Sequence, residues 1–254
     1  MGILIRTGAC PHCNSGHDTP CFAEYADGFK CFSCGVVKFH NAEQRAWRGI
    51  VSKQINKERI DIDYEANPKN FNIVVKQWLY EHYVYDDTIR RFNIFSCDDS
   101  LIFPSIVEGK IEFWQQRFFP GKKIIGHGRK ISAKLINNTN NQVFLVEDYI
   151  SAVRLAELDF NVWCIFGTSL SKDETIQLLK DYNHIYVWLD GDKAGIDGAN
   201  KLIKWFGIES RKLQKSFPMQ FTNPWKYTII QTELDPKKYT QTEIKEIIKC
   251  SNQN

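Results

Sequence analysis

Apolar residues in the second half of the chain fall into strand-length blocks separated by stretches with helical spacing. Val143-Phe144-Leu145-Val146 is continuously apolar, the form of a strand buried on both faces. Residues 148–158 predict a helix with Ile150, Val153 and Leu158 on one face, and 162–166 predict a second strand. After a turn at Gly167-Thr168-Ser169, Ser171 and Glu174 form a capping box that opens the next helix. A third strand is expected over 185–189, then Asp190-Gly191-Asp192 and a helix through Trp205. A weaker strand over 227–230 leads to Asp235-Pro236, and Thr240 with Glu243 caps a terminal helix. Strands and helices alternating in this way predict an α/β fold with a mainly parallel sheet.

Upstream the pattern changes twice. Val75, Trp78, Leu79 and His82 keep helical spacing, with a second helical piece over 88–92. A strand-rich stretch follows over 101–104 and 111–115, turned by Glu108-Gly109. Near the N-terminus, Phe22-Ala23-Glu24-Tyr25 and Phe29-Lys30 flank Ala26-Asp27-Gly28, a hairpin signal. Between these regions the chain is polar and charged from about His40 to Asn70. Asn41 and Gln44 there are placed to cap a short helix carrying Trp47 and Ile50. The division expected is a small module over 1–40, a linker over 41–70, and a domain over 71–254. Within that domain, 71–140 forms a basic subdomain and 141–254 the α/β core.

Composition supports a folded chain. Of 254 residues, 43% are hydrophobic and 13% aromatic, enough for a packed core. No apolar run reaches a membrane span, and the first residues lack the form of a secretory signal, so a soluble, cytosolic protein is expected. The net charge of +3 says little about partners, but its distribution says more. Lys110, Arg117, Lys122, Lys123, Arg129, Lys130 and Lys134 lie in one stretch whose only acid is Glu112. Such a surplus attracts a polyanion, or is a solvated face; composition leaves both open.

Eight cysteines without a signal peptide argue against a disulfide framework. Cys10 and Cys13 form one Cys-x-x-Cys pair, and Cys31 and Cys34 form another after seventeen intervening residues. That spacing lets four sulfurs reach one tetrahedral zinc ion with no position left open, so the ion is structural. His12, His17 and Cys21 lie close by and are read as spectators. Phe22, Tyr25 and Phe29 are placed either to stack on bases or to fill the core of this small sheet.

Placement of the acids carries the chemistry. Glu147 directly follows the first core strand, and Asp190 and Asp192 follow the third. In open parallel sheets ligands gather at the carboxyl ends of strands, so these side chains are expected to converge. Clustered carboxylates repel unless a cation lies among them, and Mg²⁺ or Mn²⁺ takes oxygen ligands. Asp148 fits equally well as an acid favoured by a helix N-terminus.

Taken in order, these segments resemble the bacterial and phage DNA primases. Val146-Glu147-Asp148, Phe166-Gly167-Thr168-Ser169 and Leu189-Asp190-Gly191-Asp192-Lys193-Ala194-Gly195 look like the motifs of their Toprim domain. Cys10-Pro11-His12-Cys13 and Cys31-Phe32-Ser33-Cys34-Gly35 resemble their zinc ribbon, and the segment from Phe103-Pro104-Ser105 to Gln116-Arg117-Phe118 their basic stretch. The first motif departs from the usual pattern, with Asp148 where glycine commonly follows the glutamate. The resemblance implies Glu147, Asp190 and Asp192 as catalytic, metal-holding acids, with Asp235 a looser match to a later one. It implies synthesis of short RNA primers on single-stranded DNA from nucleoside triphosphates, with Arg117, Lys122, Lys123 and Arg129 as candidates to hold template or triphosphate. No Gly-x-x-x-x-Gly-Lys-Ser/Thr sequence occurs, so a separate helicase is the expected partner. Competing readings are a recombination mediator that only binds DNA and a Toprim nuclease. A type IA topoisomerase fits less well, since it needs a much larger clamp and a tyrosine nucleophile.

Overall fold

In the computed structural model the chain separates into two units, Met1–Ile62 and Asp63–Asn254. Residues 4–14, 20–25, 28–31, 37–39, 66–221 and 224–252 are described. The expected helix carrying Trp47 and Ile50, and most of the linker, lie outside them.

The first unit is a four-stranded antiparallel sheet of β1 (Leu4–Gly8), β2 (Phe22–Tyr25), β3 (Gly28–Cys31) and β4 (Val37–Phe39), paired in chain order. β2 and β3 form the hairpin that the Asp-Gly signal predicts, with Phe22 opposite Cys31.

The second unit opens with two short helices, α1 (Ile73–Glu81) and α2 (Asp86–Arg91). Asn72 caps α1 by accepting from the Val74 amide. An antiparallel sheet follows, β5 (Phe95–Cys97), β6 (Ser100–Val107), β7 (Lys110–Phe118) and β8 (Ile124–Gly128), again in chain order. Glu108 and Gly109 both have positive φ (50° and 76°), the backbone that a two-residue hairpin turn requires.

Next come β9 (Ala133–Leu135), β10 (Gln142–Val146), α3 (Tyr149–Ala156), β11 (Val162–Cys164), α4 (Lys172–Asp181), β12 (His184–Val187), α5 (Lys193–Ser216), β13 (Lys226–Ile229) and α6 (Gln241–Ser251). Their sheet has the order β13-β12-β10-β11-β9, parallel except for β9 at the edge. The capping boxes Ser171/Glu174 and Thr240/Glu243 open α4 and α6 as expected. α5 runs past Trp205 to Ser216, because Phe206 and Leu213 continue its buried face.

Both faces of the parallel sheet are covered, which is why its strands are continuously apolar. Phe144, Val146, Cys164, Tyr186 and Trp188 face α3 and α6, together with α1, α2 and the apolar side of β6 and β7. Val143, Leu145, Trp163, Ile185 and Val187 face α4 and α5. The strand-rich segment and the parallel sheet thus share one core.

Candidate functional site

β10 and β12 are parallel neighbours, with Leu145 opposite Val187. The chain leaves β10 for α3 on one face of the sheet and leaves β12 for α5 on the other. That divergence opens a crevice at the carboxyl ends of the two strands. Glu147 stands immediately beyond β10, and Asp190 and Asp192 stand in the loop beyond β12.

The three acids differ in what holds them. Glu147 is half-buried, with no hydrogen bond to its carboxylate among the described residues, and burial followed by the charges of Asp192 and Asp148 pushes its pKa up. Oδ1 of Asp190 is buried and has no hydrogen-bond partner. Burial raises the Asp190 pKa to about 7; Lys237 opposes this, while Asp148, Asp235 and Glu147 add to it. Asp192 is exposed and accepts from the Gly195 amide at 2.8 Å through Oδ1, capping α5. A side chain has no room at Gly191 of this loop or at Gly195 in the first turn of α5. A Cβ on Gly191 would lie 2.3 Å from the Thr232 carbonyl oxygen, and one on Gly195 would lie 2.0 Å from that of Asp190.

Asp148 is engaged differently. Its Oδ1 accepts from the Ile150 and Ser151 amides at 3.0 and 3.1 Å, and its Oδ2 accepts from the Ser151 hydroxyl at 2.7 Å and the Lys237 ammonium at 2.9 Å. Burial would raise its pKa, but Lys237 and the Ser151 hydroxyl prevail and hold it low. It is the N-cap of α3, so the helix-terminal reading of this acid describes its bonds. Asp235 precedes the short 3₁₀ turn Pro236–Lys238 and pairs with Lys237 at 2.8 Å. Lys237 is a site residue that sequence reasoning passed over, although its place two residues after Asp235 was a signal.

An all-oxygen donor set with a buried, unbonded carboxylate oxygen matches the needs of a hard cation. Among the described residues, no three acids bring their oxygens within 4.8 Å of one another, so the acid site is more open than the thiol cluster.

Basic residues of the strand-rich segment occupy several positions. Arg117 is half-buried over the rings of Trp78 (4.5 Å) and Phe119 (5.3 Å), and its Nε is buried without a hydrogen-bond partner. Burial lowers its pKa and the charge of Asp148 acts the other way. Lys122 and Lys123 are exposed in the β7–β8 turn, and Arg129 is exposed beyond β8. Lys130, which sequence reasoning counted only as part of the cationic stretch, places Nζ 3.4 Å from where a Cβ on Gly167 would begin. Gly167 itself donates to the Glu147 carbonyl oxygen at 3.1 Å, so Lys130 stands beside the acid loop. Lys134 is instead bound to Gln177 and lies over Trp163.

In the first unit, Cys10, Cys13 and Cys31 bring their sulfurs within 4.8 Å of one another, a cluster that can hold a zinc ion. Cys34 lies outside the described residues, as does His17. Cys21 Sγ is 3.8 Å from Cys31 Sγ, close to the cluster but not one of the three. Phe22 is buried and Phe29 packs against it at 5.2 Å, both beside the cluster, whereas Tyr25 is half-exposed.

Residues 142–224 match the family model of the Toprim domain. No curated protein matches the sequence. Among solved structures, the zinc-binding and RNA polymerase domains of the Aquifex aeolicus primase align over 97% of this chain and 80% of theirs, with 15% identity and a TM-score of 0.53. The primase fragment of the bacteriophage T7 primase-helicase protein aligns over 98% of this chain and all of its own, with 14% identity and a TM-score of 0.53. A DnaG primase catalytic domain bound to single-stranded DNA covers 84% of this chain and 80% of its own at 17% identity, with a TM-score of 0.57. The likeness is one of fold, and it embraces both the ribbon-like unit and the Toprim-containing unit. Among the described residues no helix is long and apolar enough to cross a membrane.

Proposed function

We propose that this chain is a primase, a DNA-dependent RNA polymerase that makes short RNA primers on single-stranded DNA. The observation that carries the reading is the set of under-bonded acids, Glu147, Asp190 and Asp192, at the switch point of the Toprim sheet. Held there, Mg²⁺ or Mn²⁺ supplies neutralisation of triphosphate charge and stabilisation of the oxygens that attack and leave. Glu147 and Asp190 offer oxygens that no donor among the described residues satisfies, and Asp192 offers the oxygen it does not spend on capping α5. The nucleotide hydroxyl that attacks the α-phosphate must lie in line with departing pyrophosphate, and binding residues provide that alignment. Arg117, half-buried and stacked over the rings of Trp78 and Phe119, suits a phosphate of the triphosphate or template through its guanidinium charge, and Lys130 adds a cation beside the acid loop. Lys122, Lys123 and Arg129 form a more exposed path for a nucleic-acid backbone.

The cysteine cluster supports a structural zinc ion that holds the small sheet in shape, with Cys34 as the fourth ligand, and this unit selects the template start. A separate replicative helicase is the partner proposed for it. Incubating the protein with single-stranded DNA, labelled ribonucleoside triphosphates and Mg²⁺ or Mn²⁺ tests the reading. Short labelled RNA that depends on template and metal is the expected product. Cleavage of the DNA would assign a nuclease instead, and binding without either reaction would assign a mediator.

A further inference from the structure

Lys237 lies inside the acid cluster, not on its rim. Its side chain is only 15% exposed, and its ammonium is 2.9 Å from Oδ2 of Asp148 and 2.8 Å from Oδ2 of Asp235. The segment bearing it is fixed to α3: Arg154, buried and paired with Glu157, donates to the Tyr239 carbonyl oxygen at 3.3 Å. With three further bonds from Ile150 and Ser151, Asp148 has four donors on its two oxygens and no capacity left for a metal ion. The five acids therefore divide into a pair bonded directly to a protein cation and a trio that is not.

We propose that Lys237 stands in for a second cation, tying up Asp148 and Asp235 so that the site takes one exchangeable divalent ion, on Glu147, Asp190 and Asp192. Asp235, the loosest of the sequence matches, is then a partner of Lys237 and not a metal ligand. A singly charged ammonium balances these acids without leaving the protein, and it keeps the two loops in register when no divalent ion is bound. The inference rests on the metal-dependent reading of Glu147, Asp190 and Asp192 given above.

Counting Mn²⁺ bound to full-length, zinc-loaded protein by electron paramagnetic resonance tests it without recourse to activity. One ion per chain is expected, weakened at least about tenfold by Asp190→Asn, and within about twofold unchanged by Asp235→Asn, which alters only a neighbouring charge. Lys237→Met, which keeps the volume and removes the charge, should admit a second ion, and Lys237→Arg should not. Two ions on the unaltered protein, or a tenfold loss on Asp235→Asn, would overturn the role of Lys237 and leave the metal site standing. No bound ion at all, or one indifferent to Asp190→Asn, would instead remove the metal-dependent reading on which the proposal rests.

Discussion

Asp190 shows how a single side chain is tuned by where the fold puts it. Burial lifts its pKa from an ordinary 3.8 to about 7, because one oxygen is enclosed without a donor. A pKa raised on folding means stability that is fully present below about pH 4 and is lost as pH rises through 7. Without divalent metal the protein should therefore melt progressively lower across that interval. Asp190→Asn cannot ionise, so at pH 8 and without metal it should melt higher than the unaltered protein by roughly 2–6 °C. That corresponds to about 1–2 kcal/mol once solvent screening of a half-exposed site is allowed for. Added Mg²⁺ should raise the melting point of the unaltered protein only, and primer synthesis by the variant should fall on the order of a thousandfold. Calorimetric melts from pH 4 to 8, with and without Mg²⁺, check the sign. A variant that melts lower at pH 8 would show that Asp190 is stabilising when charged.

Among the elements, caps and hairpin turns were the most legible features. Ser171/Glu174, Thr240/Glu243 and Glu108-Gly109 each act through bonds within a few residues, so local sequence is enough to specify them. β8 and β9 were not legible. Ile124–Gly128 carries two glycines and no clear alternation, and it is a strand because β7 offers a long edge to pair with. Ala133–Leu135 is only three residues and joins the parallel sheet against β11, far downstream in the chain. The β7–β8 turn that results displays Lys122 and Lys123 to solvent. Replacing both by alanine should weaken binding to every single-stranded template alike. It should also flatten the dependence of log affinity on log salt by about 0.7 for each phosphate no longer neutralised. Fluorescence anisotropy over a salt series measures both. An unchanged slope would reduce these lysines to solvated surface charge.

For the molecule as a whole, the division into Met1–Ile62 and Asp63–Asn254 separates two kinds of stability. Among the described residues, the second unit contains both large apolar clusters, whereas the first has a small one built around Cys10, Phe22 and Cys31. A sheet that small gains far more from the zinc ion proposed for its cysteines than the larger unit gains from a metal. Removing residues 1–62 should leave a folded protein that still binds Mn²⁺ but initiates poorly and without choice of start site. Extension of a pre-annealed primer should suffer less, since the duplex supplies part of the positioning. Stripping zinc from the full chain, or Cys31→Ser, should reproduce the same loss. Initiation and extension compared on templates of varied sequence would decide it, and unchanged start sites after truncation would remove the template-selecting role.

Sequence by itself determined the order of strands and helices after residue 140, the two cysteine pairs, and the acids at strand ends. Each of these is written in residue types and spacings that act locally or repeat with a fixed period. Tertiary structure alone decided which acids remain unbonded. Asp148 and Glu147 are adjacent in the chain, yet one is consumed by the α3 cap and by a lysine 89 residues away, while the other is left without a donor. Local sequence offers Asp148 as the cap of α3, but the cation that completes its bonding reaches the site only when the turn after β13 packs against α3.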